Sequence, residues 1–353
     1  MSMHADAVVS VLRLASRCAS SMVEHIGCRA YQLTTLCMYV IGSALLVGSA
    51  PAHAQDWPSK PVRLVFPYQP GGGGETFTRL LFEQISQRMG QNFIVDNRPG
   101  AGGSVGTGIV AKARADGYTL LGSGVGHIVV APIMLNVPYD PIKDFTHIAV
   151  FGGPPQVLVA STGLLATNVK QIVELSLSQP KGLVFGTVGL GSHGHLVGEM
   201  FRSLSGATMS AVPYTGGAGV SGALAGGHIP IAFVTLGSAA PLLQGGKIRM
   251  MAVTSAKRLP DFPDIPTFAE LGYPDMVAAT WFGVSAPAGV PKQVVERLNL
   301  EVRAAMTTPP VRARLLRDGA EAPDFDSSQT TAFVLQEIKR WAPLAREVRS
   351  SAK

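Results

Sequence analysis

Two glycine-rich segments carry the residues of this 353-residue chain best suited to holding a ligand. The first is Val62-Arg63-Leu64-Val65-Phe66-Pro67-Tyr68-Gln69-Pro70-Gly71-Gly72-Gly73-Gly74-Glu75, where apolar, β-prone residues halt at proline and glycine. An amphipathic stretch over residues 76–89 follows, opened by the acidic Glu75 and closed by Gly90. The order strand, glycine loop, helix start is where ligands bind in open parallel sheets. Successive glycines let the backbone approach a ligand, and the free N–H groups of a helix start favour an anion. A tight turn that happens to be glycine-rich is the plainer reading, but four consecutive glycines cost backbone entropy. The second segment, Gly186-Thr187-Val188-Gly189-Leu190-Gly191-Ser192-His193-Gly194-His195-Leu196, repeats the arrangement and adds two hydroxyls. Neither loop contains lysine or arginine beyond Arg63.

Three other chemistries are weighed on the same residues. Gly189 to Gly194 matches the GxGxxG of dinucleotide sites, which expect an acidic residue about twenty positions on for the ribose. The chain offers Pro213-Tyr214-Thr215 there, so the glycines suit a carboxylate better than a nucleotide. Gly102-Gly103-Ser104-Val105-Gly106 matches GxSxG, yet that nucleophile turn must follow a strand directly. Here a Pro-Gly-Ala-Gly loop intervenes, and Ser104 reads as a helix N-cap. His193 and His195 stand two apart and face different ways on a helix, with only Glu199 nearby, so no metal is assigned. A helix-surface hydrogen bond from His195 to Glu199 is the simpler reading.

The elements that must position these loops alternate along the chain. Candidate strands are residues 63–66, 93–95, 119–122, 147–151, 157–160, 183–186, 209–212, 229–233, 250–254 and 280–285. Candidate helices are residues 76–89, 104–112, 169–177, 192–204, 219–225, 293–306 and 327–349. This alternation predicts an α/β protein of βαβ units with mostly parallel sheets. Pro154-Pro155 and the loop-rich stretch 261–275 mark boundaries. The expected organisation is two lobes crossed twice by the chain, residues 55–155 with 279–353 in one and 156–278 in the other. Two crossings make a hinge, and a cleft between lobes is a favoured small-molecule site.

All three cysteines, Cys18, Cys28 and Cys37, fall in the first 54 residues. Residues 33–47 are apolar but short for a membrane span, and Ala52-x-Ala54 is a signal-peptidase pattern. Residues 1–54 are therefore read as a cleaved signal peptide, with a membrane anchor as the alternative. Cleavage before Gln55 leaves a chain without thiols, indifferent to an oxidising compartment. Asp6 and Glu24 are unusual before the apolar stretch, and Met22 is a candidate start. The formal net charge of +6 comes from scattered basic residues, not from runs with interleaved aromatics, which argues against nucleic acid.

Further motifs make a family visible. Val95-Asp96-Asn97-Arg98-Pro99-Gly100-Ala101-Gly102-Gly103, Ala115-Asp116-Gly117-Tyr118-Thr119-Leu120-Leu121-Gly122-Ser123 and Val212-Pro213-Tyr214-Thr215-Gly216 follow in register with the two loops. Leu259-Pro260-Asp261-Phe262-Pro263 and Trp281-Phe282-Gly283-Val284-Ser285-Ala286-Pro287 complete the set. Together these resemble the substrate-binding proteins of tripartite tricarboxylate transporters, the Bug-type periplasmic receptors, across nearly everything after the presequence. The resemblance implies a type II periplasmic binding-protein fold, α/β, with two βα lobes joined by a two-crossing hinge around a ligand cleft. It also implies that amides, hydroxyls and water hold the ligand's carboxylate without an obligatory arginine. On that basis the candidate contacts are Tyr68, Gly71, Gly72, Gly73, Glu75, Ser123, Thr187, Gly189, Gly191, Ser192, Tyr214, Thr215 and Trp281. Trp281 reads equally as a flat apolar wall or as a buried contact between lobes. Glu75 departs from the family's aspartate; it either complements the helix dipole or reaches the ligand. Gly222 is a second departure, where the family often has aspartate.

The expected function is capture of a small organic carboxylate in the periplasm and delivery to membrane permease subunits, by a monomer without cofactor, metal or enzymatic activity. A ligand-dependent sensor partner of a membrane kinase is the alternative, and a hydrolase is the third. For the hydrolase the chain offers no convincing nucleophile, base and acid together.

Overall fold

The computed structural model describes residues 57–351. The expected signal peptide, the three cysteines and the expected cleavage point before Gln55 lie outside the described residues. Ten strands form two five-stranded sheets. The first sheet has β1 (Val62–Phe66), β2 (Phe93–Asn97), β3 (Thr119–Gly124), β4 (Phe145–Val150) and β10 (Phe282–Pro287), in the order β2-β1-β3-β10-β4. The second has β5 (Gln156–Ser161), β6 (Leu183–Thr187), β7 (Met209–Pro213), β8 (Ile231–Thr235) and β9 (Ile248–Val253), in the order β7-β6-β8-β5-β9. The two lobes share one topology.

The sheets are mixed, not mostly parallel. β1 pairs parallel with β2 and β3, but β10 runs antiparallel to both β3 and β4. β5 does the same between β8 and β9. The connection explains it. β4 ends at the edge facing the other lobe, and residues 151–155 carry the chain straight across, so β5 must start at that edge and run away from it. The return crossing dictates the same for β10. An isolated bridge ties the crossing segments together, Pro155 to Ala279, and a second joins Gly153 to Glu321 near the chain's C-terminal helices.

Helices cover the sheets: α1 (Gly73–Met89), α2 (Ser104–Ala111), α3 (Ala131–Met134), α4 (Val169–Ser178), α5 (His193–Ser205), α6 (Gly217–Ala225), α7 (Leu236–Gln244), α8 (Lys292–Met306), α9 (Pro309–Arg317) and α10 (Ser327–Ser351). Strands such as β1, buried on both faces by this cover, read as unbroken apolar runs. α1 begins three residues before residue 76, because Gly73 and Gly74 are already helical. It stops at Gly90, whose left-handed φ of 65° a side chain would strain. The first lobe packs around Leu64, Leu81, Phe82 and Leu298, the second around Val159, Leu224 and Val234. A third cluster joins Ile128 and Leu121 to Phe185, Phe201 and Trp341. α10 thus packs on β4 and on α5 of the second lobe.

Candidate functional site

The carboxyl ends of β1, β3, β6, β7 and β8 meet the amino ends of β5 and β10, because Gln156 pairs with Thr235 and Phe282 with Gly124. Between these ends lies a cleft of about 80 Å³. A single water needs roughly 10–15 Å³, so the space suits a molecule of a few carbons. Its walls include Tyr68, Gly72, Gly73, Glu75, His127, Gln156, Ser192, His193, Gly217, Ser238, Thr280 and Phe282. The helices α1, α5, α6 and α7 all present their first turns here. Each first turn leaves N–H groups without a partner inside its helix, and the four dipoles add positive potential. No lysine or arginine lines the cleft among the described residues.

The first glycine loop is held by a chain of polar contacts. Glu75 is 2% exposed. Its Oε2 accepts from the Gly71 N–H at 3.2 Å, and its Oε1 pairs with Arg79. Arg79 Nη2 donates to Asn97 Oδ1 at 2.7 Å, and Asn97 Nδ2 donates to the Tyr68 carbonyl at 2.9 Å. Asn97, in the Asn-Arg-Pro-Gly block, therefore braces the loop instead of meeting the ligand. Tyr68 Oη donates to the Gly102 carbonyl at 3.0 Å. Gly71 needs its glycine for a φ of +88°, whereas Gly72 sits at φ −77° and ψ 155°, open to any residue. Gly73 needs its glycine for space: a Cβ there would fall 2.7 Å from the Gly237 carbonyl carbon of the opposite lobe.

The second loop is capped by Ser192, whose Oγ accepts from the His195 N–H at 3.2 Å and lies 2.7 Å from Thr187 Oγ1. Both hydroxyls are thus engaged within the protein. His195 Nδ1 accepts from the Gly191 N–H at 3.2 Å, and its Nε2 stays 4.0 Å from Glu199, so the ring shapes the loop. Ser104 opens α2 as its first residue; its hydroxyl donates to the Ala101 carbonyl, and Gly103 holds the cap position.

Of the residues expected at the ligand, Tyr68, Gly72, Gly73, Glu75 and Ser192 line this cleft together. Gly71 and Thr187 are not among the cleft walls but tie the two loops to Glu75 and Ser192, and Ser123 is buried on β3 beside Gly124. Gly191 supports the second loop through His195. Gly189, Tyr214 and Thr215 line an adjoining opening, and Tyr68 borders both spaces. Trp281 faces away, with its ring 5.7 Å from Phe333 behind the crossing segments. Phe282, one residue on, lines the cleft instead, alongside Phe66 and Phe233.

Residues without a motif to announce them complete the site. Gln156 Nε2 donates to Thr280 Oγ1 at 2.7 Å, and Thr280 Oγ1 also meets His193 Nδ1. Gln156 Oε1 is left buried and unpartnered, as are His127 Nδ1 and His193 Nε2. His127 Nε2 lies 3.1 Å from the Gly122 carbonyl and must carry the proton, which leaves Nδ1 as a bare acceptor. Burial holds both rings neutral, pushing each pKa down to about 3 from the ordinary 6.5; the Arg340 charge adds to this at His193. The cleft thus offers amides as donors, while the unpartnered Gln156 Oε1 and His127 Nδ1 are sealed beneath its lining.

The chain compares closely with known proteins. It is 33% identical over 307 residues to protein BugT of Bordetella pertussis, covering 86% of this chain and 94% of that protein. Rpa4515 of R. palustris, solved with adipate, superposes with a TM-score of 0.79 at 36% identity, over 82% of this chain and 98% of that one. MatC from Rhodopseudomonas palustris, solved with bound malate, gives 0.79 at 29% identity, over 82% of this chain and 100% of that one. The periplasmic binding protein BugD gives 0.79 at 31%, over 82% of this chain and 98% of that one. The sequence profile of the tripartite tricarboxylate transporter family receptor matches residues 77–349. That span runs from the second turn of α1 to the last turn of α10, taking in the whole second sheet and every strand of the first except β1, and the chain belongs to this family of periplasmic solute receptors.

Proposed function

We propose that the protein captures a small organic carboxylate between its lobes and passes it to the membrane permease subunits of a tripartite tricarboxylate-type transporter. The observation that carries this is the convergence of four helix starts on a small cleft with no basic side chain. Such a site holds an anion through amides and hydroxyls, each charge-assisted hydrogen bond contributing about 1.5–3 kcal/mol. The adipate and malate of the two R. palustris relatives are of the same class.

The lobes act as jaws on a hinge at residues 151–155 and 277–281. Contacts across the cleft support this, including the Gly73 N–H donating to Ser238 Oγ at 2.9 Å and the Gln69 N–H to the Thr215 carbonyl at 3.3 Å. A thermal-shift panel of organic acids on the purified protein tests the ligand class. A carboxylate that fits the cleft adds about 2.7 kcal/mol of stability at one hundred times its Kd. Absence of a shift with every carboxylate would remove this reading. The same preparation tests export: intact mass of protein recovered from the periplasm is expected to start at Gln55, and a retained presequence would contradict it.

A further inference from the structure

Next to the cleft of about 80 Å³ lies a wider opening of about 410 Å³. Its walls come from both lobes, with Gly100 to Gly103 on one side and Leu190 and Tyr214 on the other. Among the described residues no charged side chain lines it, and Ala101, Leu190 and Thr215 of its lining are exposed to water. Only two of the described residues border both spaces, Tyr68 of the first lobe and Val188 of the second.

Tyr68 is packed and bonded as a partition. Its Oη would lie 2.8 Å from a Cβ on Gly126, a wall of the cleft, and 3.1 Å from one on Gly103, a wall of the opening. The end of the ring thus stands between the two spaces, with a glycine on either side leaving it room. Its hydroxyl donates to the Gly102 carbonyl at 3.0 Å. Gly102 is in turn wedged against the opposite lobe, where a Cβ on it would collide with the Leu190 carbonyl oxygen. The ring cannot swing aside without giving up that bond. Val188 meets the same boundary from the second lobe with a β-branched side chain, stiff at χ1.

We infer that Tyr68 and Val188 set the length of acid that the site accepts, closing the cleft behind a short carboxylate and shutting a longer chain out of the opening. The inference rests on the carboxylate reading above. The helix starts fix the carboxylate end of a ligand whatever its length, so a chain too long for the cleft has to leave past the partition. Without the ring the two spaces join. Further methylenes then gain the apolar wall of Leu135, Leu190 and Pro213, and a second carboxylate reaches water at the exposed end.

Calorimetric titration with the linear diacids from malonate to suberate tests this. The parent protein is expected to bind succinate more tightly than suberate. Each methylene buried in the opening adds about fourfold in affinity. In Tyr68→Ala the affinity for suberate relative to succinate should therefore rise by about tenfold or more. Val188→Ala, which thins the partition from the other lobe, should move the ratio the same way by a smaller step. Tyr68→Phe loses the hydroxyl but keeps the ring, and should keep the parent's ratio. The partition is overturned by a parent that takes suberate as tightly as succinate, or by Tyr68→Phe shifting the ratio as far as Tyr68→Ala. It is equally overturned by an unchanged ratio in folded Tyr68→Ala or, should that variant not fold, in Val188→Ala. A parent that binds no acid of the series removes the carboxylate reading, and the partition with it.

Discussion

Replacing Gly73 by alanine separates closure of the lobes from their folding. Gly73 is the first residue of α1, and its φ is one that alanine adopts freely. Within its own lobe the added methyl costs nothing and slightly favours the helix. Across the cleft, however, that methyl would stand 2.7 Å from the carbonyl carbon of Gly237 and 2.8 Å from the Ser238 nitrogen, both backbone atoms that cannot rotate aside. Relief to an ordinary contact of 3.4 Å requires the jaws to part by about 0.7 Å at that point. Overpacking of this kind costs about 1–3 kcal/mol, a penalty confined to the closed form. Affinity for the carboxylate should therefore fall about 5- to 150-fold, while the melting temperature without ligand stays level or rises. Gly72→Ala is the control. Its methyl would sit 3.7 Å from the Gly217 nitrogen, an ordinary contact, and its affinity should stay within about twofold of the parent. Calorimetric titration with the best acid from the thermal-shift panel measures both variants. Gly73→Ala binding as tightly as the parent, or both variants losing equally, would refute closure around this contact.

Buried histidines make stability sensitive to acid. Burial pushes His127 and His193 down to about 3 and His147 down to about 4, all from an ordinary 6.5. Between those values and 6.5 the unfolded chain binds protons that the folded chain refuses, so the stability from neutral rings is complete above about pH 6.5 and is lost as pH falls. The expected slope is on the order of 1 kcal/mol per pH unit for each histidine, and equal denaturant midpoints at pH 7 and pH 5 would contradict it. Ser192→Ala removes a helix cap and one of the partners of Thr187 Oγ1, which keeps its bond to the Gly189 carbonyl at 3.3 Å. It should cost about 1 kcal/mol in the ligand-free protein, read as a lowered melting temperature; an unchanged one would mean that the cap carries no weight.

Every strand of the structure stands within two or three residues of a stretch recognisable in the sequence, because apolar runs bounded by glycine and proline survive without long-range context. What was illegible shares a physical cause. Residues 126–134 and α7 are apolar and small, with little polar residue to mark an outer face, and Pro132 and Pro241 interrupt them. α9 opens with Pro309-Pro310, which reads as a loop until the two prolines are seen in the first turn. The antiparallel course of β5 and β10 follows from where the chain crosses, which strand periodicity does not record. The glycine loops announced themselves by composition. His127, Gln156, Thr280 and Ser238 did not, since each is an ordinary residue brought to the cleft by a crossing segment or by an unforeseen helix. Trp281 and Phe282 show how fine the distinction is: neighbours in sequence, they face opposite sides of the hinge.

The position of β10 between β3 and β4 has a consequence for how the molecule assembles. The second lobe's sheet is drawn from one continuous stretch, residues 156–253, and is complete once that stretch is available. The first lobe's sheet is not. Its edge strand β4 pairs only with β10, in a register that joins Val284 to Ala149 and Gly122, so more than a hundred intervening residues must be gathered before it closes. Contacts so distant in sequence slow folding, because the entropy of loop closure is lost before any pairing compensates. Until β10 arrives, β3 and β4 expose open edges, the kind of surface on which chains aggregate. The lobe carrying the first glycine loop is therefore the last to form and the most exposed to misassembly, an order that pulse-labelled hydrogen exchange during refolding would read directly.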